Sequence, residues 1–301
     1  MVKRVVERGL HLAGIPGRRI RGRSSGTVIL SYHNVVPRGE SPVGDRSLHI
    51  DQARFGAHLD RLADTHDIVP LGTLVPGTAP SGRPRAAITF DDAYLGTITA
   101  GFEELARRGM PATVFVPAGL LGCEGFWWDR LASTSGGLSP SVRDHAMERL
   151  GGHQHRVLDH AVAEGRRPEA LPDHARPADE PTLLRAVADS DFTLGSHTWH
   201  HVNLAGVPLD EALTEMRRGH EWLRTLENRE RAVDWLAYPY GHSTPEVEAA
   251  AGAVARCAVR VEGGAAEVQG RWVAADHRLP RVNVPAGLTS DGLSLRLAGL
   301  R

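Results

Sequence analysis

The chain has 301 residues, 41% hydrophobic and 24% charged, with a formal net charge of -1. That is enough material for one large α/β domain or two small ones, and it excludes the broad basic field that nucleic acid selects. Cys123 and Cys257 are too few and too far apart for a disulfide framework or a thiolate metal site, and no run approaches the roughly 20 apolar residues of a membrane span.

Residues 1–14 set Val2, Val5, Val6, Leu10 and Ala13 at helical spacing, with Lys3, Arg4, Arg8 and His11 around the rest of the wheel. This reads as a basic amphipathic helix: a foothold on anionic lipid, a helix packed on the domain, or a disordered leader. A basic, glycine-containing linker follows, completing an N-terminal unit of residues 1–26. Glu7, Arg8 and His11 interrupt any secretory apolar core, and with the sparse cysteines this leads us to expect a cytoplasmic protein.

From Thr27 strands and helices alternate. Val28–Tyr32 reads as a buried strand ending at His33, and a helix through Phe55, Leu59 and Leu62 precedes a short strand near Ile68. Ala86–Phe90 is a strand ending at Asp91 and Asp92; a helix from Thr97 then stops at Gly109, and Thr113–Val116 is the next strand. Residues 119–190 break the rhythm with Phe126-Trp127-Trp128-Asp129, a helix near 142–150 and proline-rich punctuation, and read as an insertion. His153, His155, His160 and His174 complete no ligand set and are expected at the surface. Phe192–Leu194 leads into Gly195-Ser-His-Thr-Trp-His-His201, followed by an amphipathic helix through Leu213, Met216, Leu223 and Leu226. Trp235–Tyr238 enters a Pro239-Tyr240-Gly241 turn, and strands are expected near Ala258–Val261 and Leu279–Val284. Such alternation argues a parallel sheet, and seven or eight strands suit a closed, irregular (β/α) barrel with the insertion over its mouth. The chemically active residues would then gather at one end, the strand ends.

Two adjacent carboxylates, Asp91 and Asp92, disfavour each other's ionisation, which implies a nearby cation or one group given to proton transfer; an Asp pair also serves as a plain helix cap. His197 and His201 stand four apart and can share one face of a turn. With Asp92 they make a three-ligand set that leaves a fourth position for water on a zinc-like ion.

The ordered trio Phe90-Asp91-Asp92-Ala93, His197-Thr198-Trp199-His200-His201 and Tyr238-Pro239-Tyr240-Gly241 resembles the polysaccharide deacetylase family, carbohydrate esterase family 4, over residues 27–284. The resemblance implies a catalytic domain over residues 27–301, with Asp91 as general base and Asp92, His197 and His201 as ligands of a divalent metal, most simply Zn2+. His200 is a rival donor to His201. The main-chain N–H of Tyr240 is implied at the oxyanion. The family's third motif often opens with an arginine that orients the base, yet Ala237 and Tyr238 stand there; Arg281 is the replacement we expect, unless it forms an ordinary surface salt bridge. The late Leu-x-His that carries the general acid is also missing. Ser31-Tyr32-His33-Asn34 resembles the rearranged form of some exopolysaccharide deacetylases, so His33 is either that acid or a structural strand-end histidine, with His277 next in line. Trp127, Trp128 and Tyr238 are the candidate sugar contacts, the tryptophans being equally readable as lid packing.

What the resemblance implies is removal of acetyl groups from an N-acetylated sugar or glycan, lipid-linked, nucleotide-linked or a small glycoside if the protein is cytoplasmic. A C–N hydrolase acting on a non-sugar amide and a glycan-binding relative without catalysis are the other two classes open at this point.

Overall fold

From Thr27 the computed structural model runs as β1 (Thr27–Tyr32), β2 (Asn34–Val36), β3 (His49–Asp51), α1 (Gln52–Ala63), β4 (Asp67–Ile68), β5 (Arg85–Asp91), α2 (Phe102–Ala106) and β6 (Ala112–Val116). Then come α3 (Trp127–Arg130), α4 (Pro140–Glu148), α5 (Gln154–Ala163), α6 (Glu180–Ala188), β7 (Phe192–Ser196), α7 (Leu209–Thr225), β8 (Ala232–Ala237), α8 (Pro245–Ala251), β9 (Cys257–Glu262), β10 (Leu279–Asn283) and α9 (Ser290–Leu297). The structure describes residues 27–74, 83–133, 135–188, 190–262 and 276–299. The N-terminal helix expected over residues 1–14 and its linker lie outside them.

β1 pairs in parallel with both β10 and β5, so the strands β1, β10, β9, β8, β7, β6 and β5 close into a parallel seven-stranded barrel. Short β4 borrows the start of β5, at Arg85 and Ala86, on the edge that β6 takes over from Thr89. The strands are near-continuous apolar runs because both faces are buried. One parity, Ile29, Ala87, Phe115, Trp235, Ala237, Cys257, Val259 and Leu279, forms the cluster inside the barrel. The other, including Leu30, Ile88, Phe90, Val114 and Leu194, packs beneath the helices with Phe55, Leu59 and Leu223. Gly195 is needed inside: a Cβ there would stand 2.7 Å from the Phe115 ring, so its absence lets that ring fill the barrel.

The helix expected from Thr97 begins as a π turn over Thr97–Gly101 and ends at Ala106, with Gly109 at φ +58°. The two-stranded sheet of β2 and β3 was not anticipated, since three-residue strands carry no readable period. Helices α5 and α6 were also missed in the insertion, where polar residues and proline masked short apolar faces.

The insertion between β6 and β7 is fastened over the barrel by a buried polar chain. Asn34 donates from Nδ2 to His49 Nδ1 at 2.9 Å, which leaves His49 Nε2–H to donate to Asp129 Oδ1, also at 2.9 Å. The Asp129 carboxylate also accepts from the Asp45 N–H (2.9 Å) and the Tyr94 hydroxyl (2.6 Å), and Tyr94 in turn accepts from Trp128 Nε1 (3.0 Å). Both the His49 and Asp129 side chains are fully buried. A buried carboxylate is tolerable only with such donors, and deleting it strands all three. Asp129→Ala should therefore lower the unfolding free energy by about 3 kcal/mol in urea titration. A loss below about 0.5 kcal/mol, the scale of an ordinary surface change, would show that the chain fastens nothing.

Candidate active site

Asp91 is the last residue of β5 and shares inner-face parity with Ala87 and Thr89. Its two oxygens each receive one N–H from Arg281, at 2.7 Å and 2.7 Å. Arg281 Nη1 also donates to Thr89 Oγ1 at 3.1 Å, and Ser31 Oγ donates to Asp91 Oδ2 at 3.4 Å. Arg281 lies within β10 rather than beyond its end, so its side chain crosses the barrel interior, fully buried, with the guanidinium over the Phe115 ring. Burial alone would raise the Asp91 carboxyl, but the Arg281 charge and then His197 outweigh it and hold the group well below the usual carboxylate range.

Asp92 follows in the left-handed region, φ 74°, and Ala93 repeats it at φ 54°. This double kink turns the second carboxylate out of the strand path and away from Arg281. It is pinned from the insertion, where Ala178 N–H donates to the Ala93 carbonyl and Leu95 N–H to the Arg176 carbonyl. Left-handed non-glycine residues cost about 1–3 kcal/mol each and persist only where neighbours enforce them. All five such residues among those described, Asp92, Ala93, Thr198, His201 and Tyr240, belong to the three sequence motifs.

His197 follows β7, and its Nδ1 lies 2.8 Å from the Ala237 carbonyl. A carbonyl only accepts, so Nδ1 carries the proton and Nε2 presents a lone pair to Asp92. Burial pulls the His197 imidazole down to about 4, so the ring is neutral over the working pH range. His197 Nε2 stands 3.6 Å from Asp92 Oδ1, His201 Nε2 stands 3.2 Å from the same oxygen, and the two Nε2 atoms are 3.1 Å apart. Donors about 2.0–2.1 Å from one tetrahedral ion stand roughly 3.3 Å from each other, so the set fits a divalent cation. Two facing ring nitrogens are unfavourable unless a cation or a proton lies between them, and Asp92 Oδ1 is buried without a donor. Among the described residues this is the one such group. His200 faces elsewhere: its Nδ1 and main-chain N–H both donate to Glu215, at 2.9 Å and 2.6 Å.

These groups open on a cleft of about 610 Å3 whose walls include His33, Asp91, Asp92, His197, His201, Trp127, Trp128 and Tyr240. His33 Nε2 is 4.0 Å from Asp91 Oδ2 and its side chain is 18% exposed, enough to meet a ligand. Trp128 packs 4.8 Å from the His201 ring and Tyr240 4.6 Å from it, while Trp127 Nε1 donates to the Tyr240 hydroxyl at 3.0 Å. The tryptophans thus act as roof and cleft wall together. In the Pro239–Gly241 turn the Gly241 and His242 N–H groups are spent on the Tyr238 and Pro239 carbonyls.

Tyr238 does not reach the cleft, against the expectation that it meets sugar. It shares outward parity with Leu236, is fully buried with Val202, Leu204 and Met216, and donates its hydroxyl to the His277 carbonyl at 2.9 Å. His277 also lies away, its Nε2 bonded to the Ala255 carbonyl at 3.0 Å. Nor are the insertion histidines all superficial: His174 is buried, and His153 contacts Glu211 at 2.9 Å. Glu215, His49 and Tyr94 stand outside the three motifs, and Asp129, at the end of the Phe126–Asp129 stretch, carries no sign there of its buried partners.

The parallel barrel thus brings an arginine-held carboxylate beside an Asp-His-His cluster at its strand ends. Residues 78–256, more than half of the chain, match the polysaccharide deacetylase family model, and the chain belongs to that family. No curated protein matches the sequence. Among solved structures the fold is similar to the Streptococcus pyogenes deacetylase PplD in complex with acetate, with TM-score 0.60 and 13% identity over 90% of this chain and 98% of that one. It is also similar to IcaB from Ammonifex degensii, with TM-score 0.57 and 17% identity over 92% and 98% of the two chains. A de-N-acetylase from Aggregatibacter actinomycetemcomitans gives TM-score 0.61 and 13% identity over 91% and 100%.

Proposed function

We propose that the protein is a metal-dependent N-deacetylase that hydrolyses the acetamido group of an N-acetylated sugar or glycan. One observation carries the reading: Asp91, gripped at both oxygens by Arg281, lies beside the Asp92–His197–His201 donor set rather than within it, so one carboxylate is free for proton transfer. A divalent ion, Zn2+ in this reading, held by Asp92, His197 and His201 would acidify water and polarise the acetyl carbonyl. Asp91 accepts the proton of the attacking water, and Arg281 keeps it ionised until then. His33, on the same cleft wall, donates a proton to the departing nitrogen, so that water is divided between acetate and a free amine. The main-chain N–H of Tyr240 stabilises the negative oxygen of the acyl centre. Trp127 and Trp128, both buried, shape the cleft wall behind the sugar.

The names of two structural neighbours, a de-N-acetylase and a deacetylase with acetate, support the choice of an acetyl amide. A lipid-linked, nucleotide-linked or small glycoside substrate, a cytoplasmic location and contact of residues 1–14 with anionic lipid belong to the same proposal and rest on sequence alone. No helix among the described residues is long and apolar enough to cross a membrane.

Metal analysis of the purified protein should find close to one divalent ion per chain. Asp92→Ala, His197→Ala and His201→Ala should each lower affinity at least about 100-fold, while His200→Ala keeps it within about threefold. Acetate release from N-acetylglucosamine substrates should vanish on chelation and return with Zn2+. Release that survives complete metal removal would rule out metal dependence, and metal-loaded protein inert on free, nucleotide-linked, lipid-linked and oligomeric substrates would rule out the deacetylase.

A further inference from the structure

The metal-binding turn holds two adjacent histidines of identical donor chemistry, and the fold must commit one of them. His201 turns inward to Asp92 while His200 turns outward, although either is spaced to share a helical face with His197. The backbone alone does not favour this arrangement, because Thr198 and His201 both sit in the left-handed region, at φ 67° and φ 56°. Something outside the turn has to hold it.

That support comes from α7. Glu215, its side chain 8% exposed, accepts both the His200 main-chain N–H and His200 Nδ1–H. One helical turn later, Gly219 lies against the same loop: a Cβ there would stand 2.6 Å from both the Thr198 carbonyl oxygen and Ser196 Oγ. Residues four apart on a helix share a face, so α7 presents a carboxylate and a bare patch of backbone together. Inside the turn, His201 N–H donates to Thr198 Oγ1 at 3.1 Å and Thr198 N–H to Ser196 Oγ at 3.3 Å. Trp128 and Tyr240 pack against the His201 ring, and Glu215 is the side chain from α7 that holds the rival His200 by hydrogen bonds. Swapping the two histidines would leave the buried Glu215 carboxylate without its two donors, a costly state in low dielectric.

We propose that Glu215 is a positioning residue that selects His201 over His200 as the ligand, by occupying both polar hydrogens of His200. The proposal rests on the metal-site reading above and assigns Glu215 no contact with substrate.

The test uses the full-length protein, stripped of metal and titrated with Co2+, with visible absorption, chelator competition and apo-protein thermal unfolding as readouts. Glu215→Ala should bind Co2+ about 10- to 100-fold more weakly, the scale of lost outer-shell support, and should broaden or split the ligand-field bands as His200 competes. Glu215→Ala with His200→Ala should return a single wild-type-like spectrum, because the rival donor is gone. Glu215→Gln, which can accept the main-chain N–H and donate to Nδ1 of the other tautomer, should keep the wild-type spectrum; if Glu215→Ala does not fold, Glu215→Met, which fills the space but accepts neither N–H, carries the test, with the broadened spectrum expected and a wild-type spectrum overturning the selection. Wild-type affinity and spectrum in Glu215→Ala would overturn the selection. So would spectra in the single and double variants that match each other and differ from wild type. A wild-type protein that binds no Co2+ would overturn the metal-site reading and this inference with it.

Discussion

Asp91→Asn should keep its metal and release acetate about 10²- to 10⁴-fold more slowly than wild type, the span a positioned general base contributes. The change preserves shape but removes the proton acceptor. Its amide nitrogen also meets one of the two Arg281 N–H groups that Asp91 now accepts. The donor set of Asp92, His197 and His201 does not include Asp91, so metal content is the control that separates a chemical loss from a collapsed site. His33→Ala should show the complementary pattern. An amine is a poor leaving group without a proton, whereas a phenolate departs unaided, so the variant should lose most activity on acetamido sugars and much less on aryl acetates. Equal losses on both would remove His33 from the acid role. Acetate release by Asp91→Asn within threefold of wild type would remove Asp91 from the base role.

Much of this site is readable one residue type at a time. The barrel follows from repeated strand and helix signals, and seven closed strands fall within the number the pattern allows. Asp91 and Asp92 stand at a strand end that the run Ala86–Phe90 marks plainly, but parity along that run would send Asp92 outward, and it is the left-handed turn at Asp92 and Ala93 that brings it into the cleft beside Asp91. The same rule applied to Leu236, Ala237 and Tyr238 sends Tyr238 outward to the helices, and the structure places it there. Arg281 is a candidate from its place at a late strand, in a role that the family resemblance implies, but its route through the barrel depends on β10 lying beside β1, a closure no local pattern encodes. Glu215 did leave a mark. Ala212, Glu215, Met216, Gly219 and Leu223 form one buried stripe of α7, and a carboxylate on an apolar stripe requires a partner. Asp129 and His49 are 80 residues apart, and nothing in either neighbourhood names the other.

Arg281→Met should reverse the way acid affects the stability contributed by Asp91. In the wild type the folded carboxyl is depressed, by Arg281 foremost among the charges that outweigh burial. The pair's contribution is therefore complete above the unfolded value of about 3.9 and is lost as pH falls through the lower folded value. In the metal-free protein methionine fills the same space in the barrel but offers no charge, so burial, the largest influence on this carboxyl, prevails and raises it above its unfolded value. The contribution is then greatest below about pH 3.9 and is lost as pH rises through the raised value. The deficit of the variant should accordingly be largest at neutral pH, about 3–5 kcal/mol for a broken buried pair, and should shrink steadily toward mildly acidic pH. Adding Asp91→Asn should recover part of it, since no charge is left unpaired. Activity should move with the same titration: metal stays bound, kcat/KM at neutral pH falls at least about tenfold, and its acid limb shifts upward as Asp91 becomes harder to ionise. Urea unfolding at several pH values and a pH–rate profile of Arg281→Met measure both halves. A deficit that stays constant with pH, with the acid limb unmoved, would mean that Arg281 supports the barrel and leaves the protonation of Asp91 untouched.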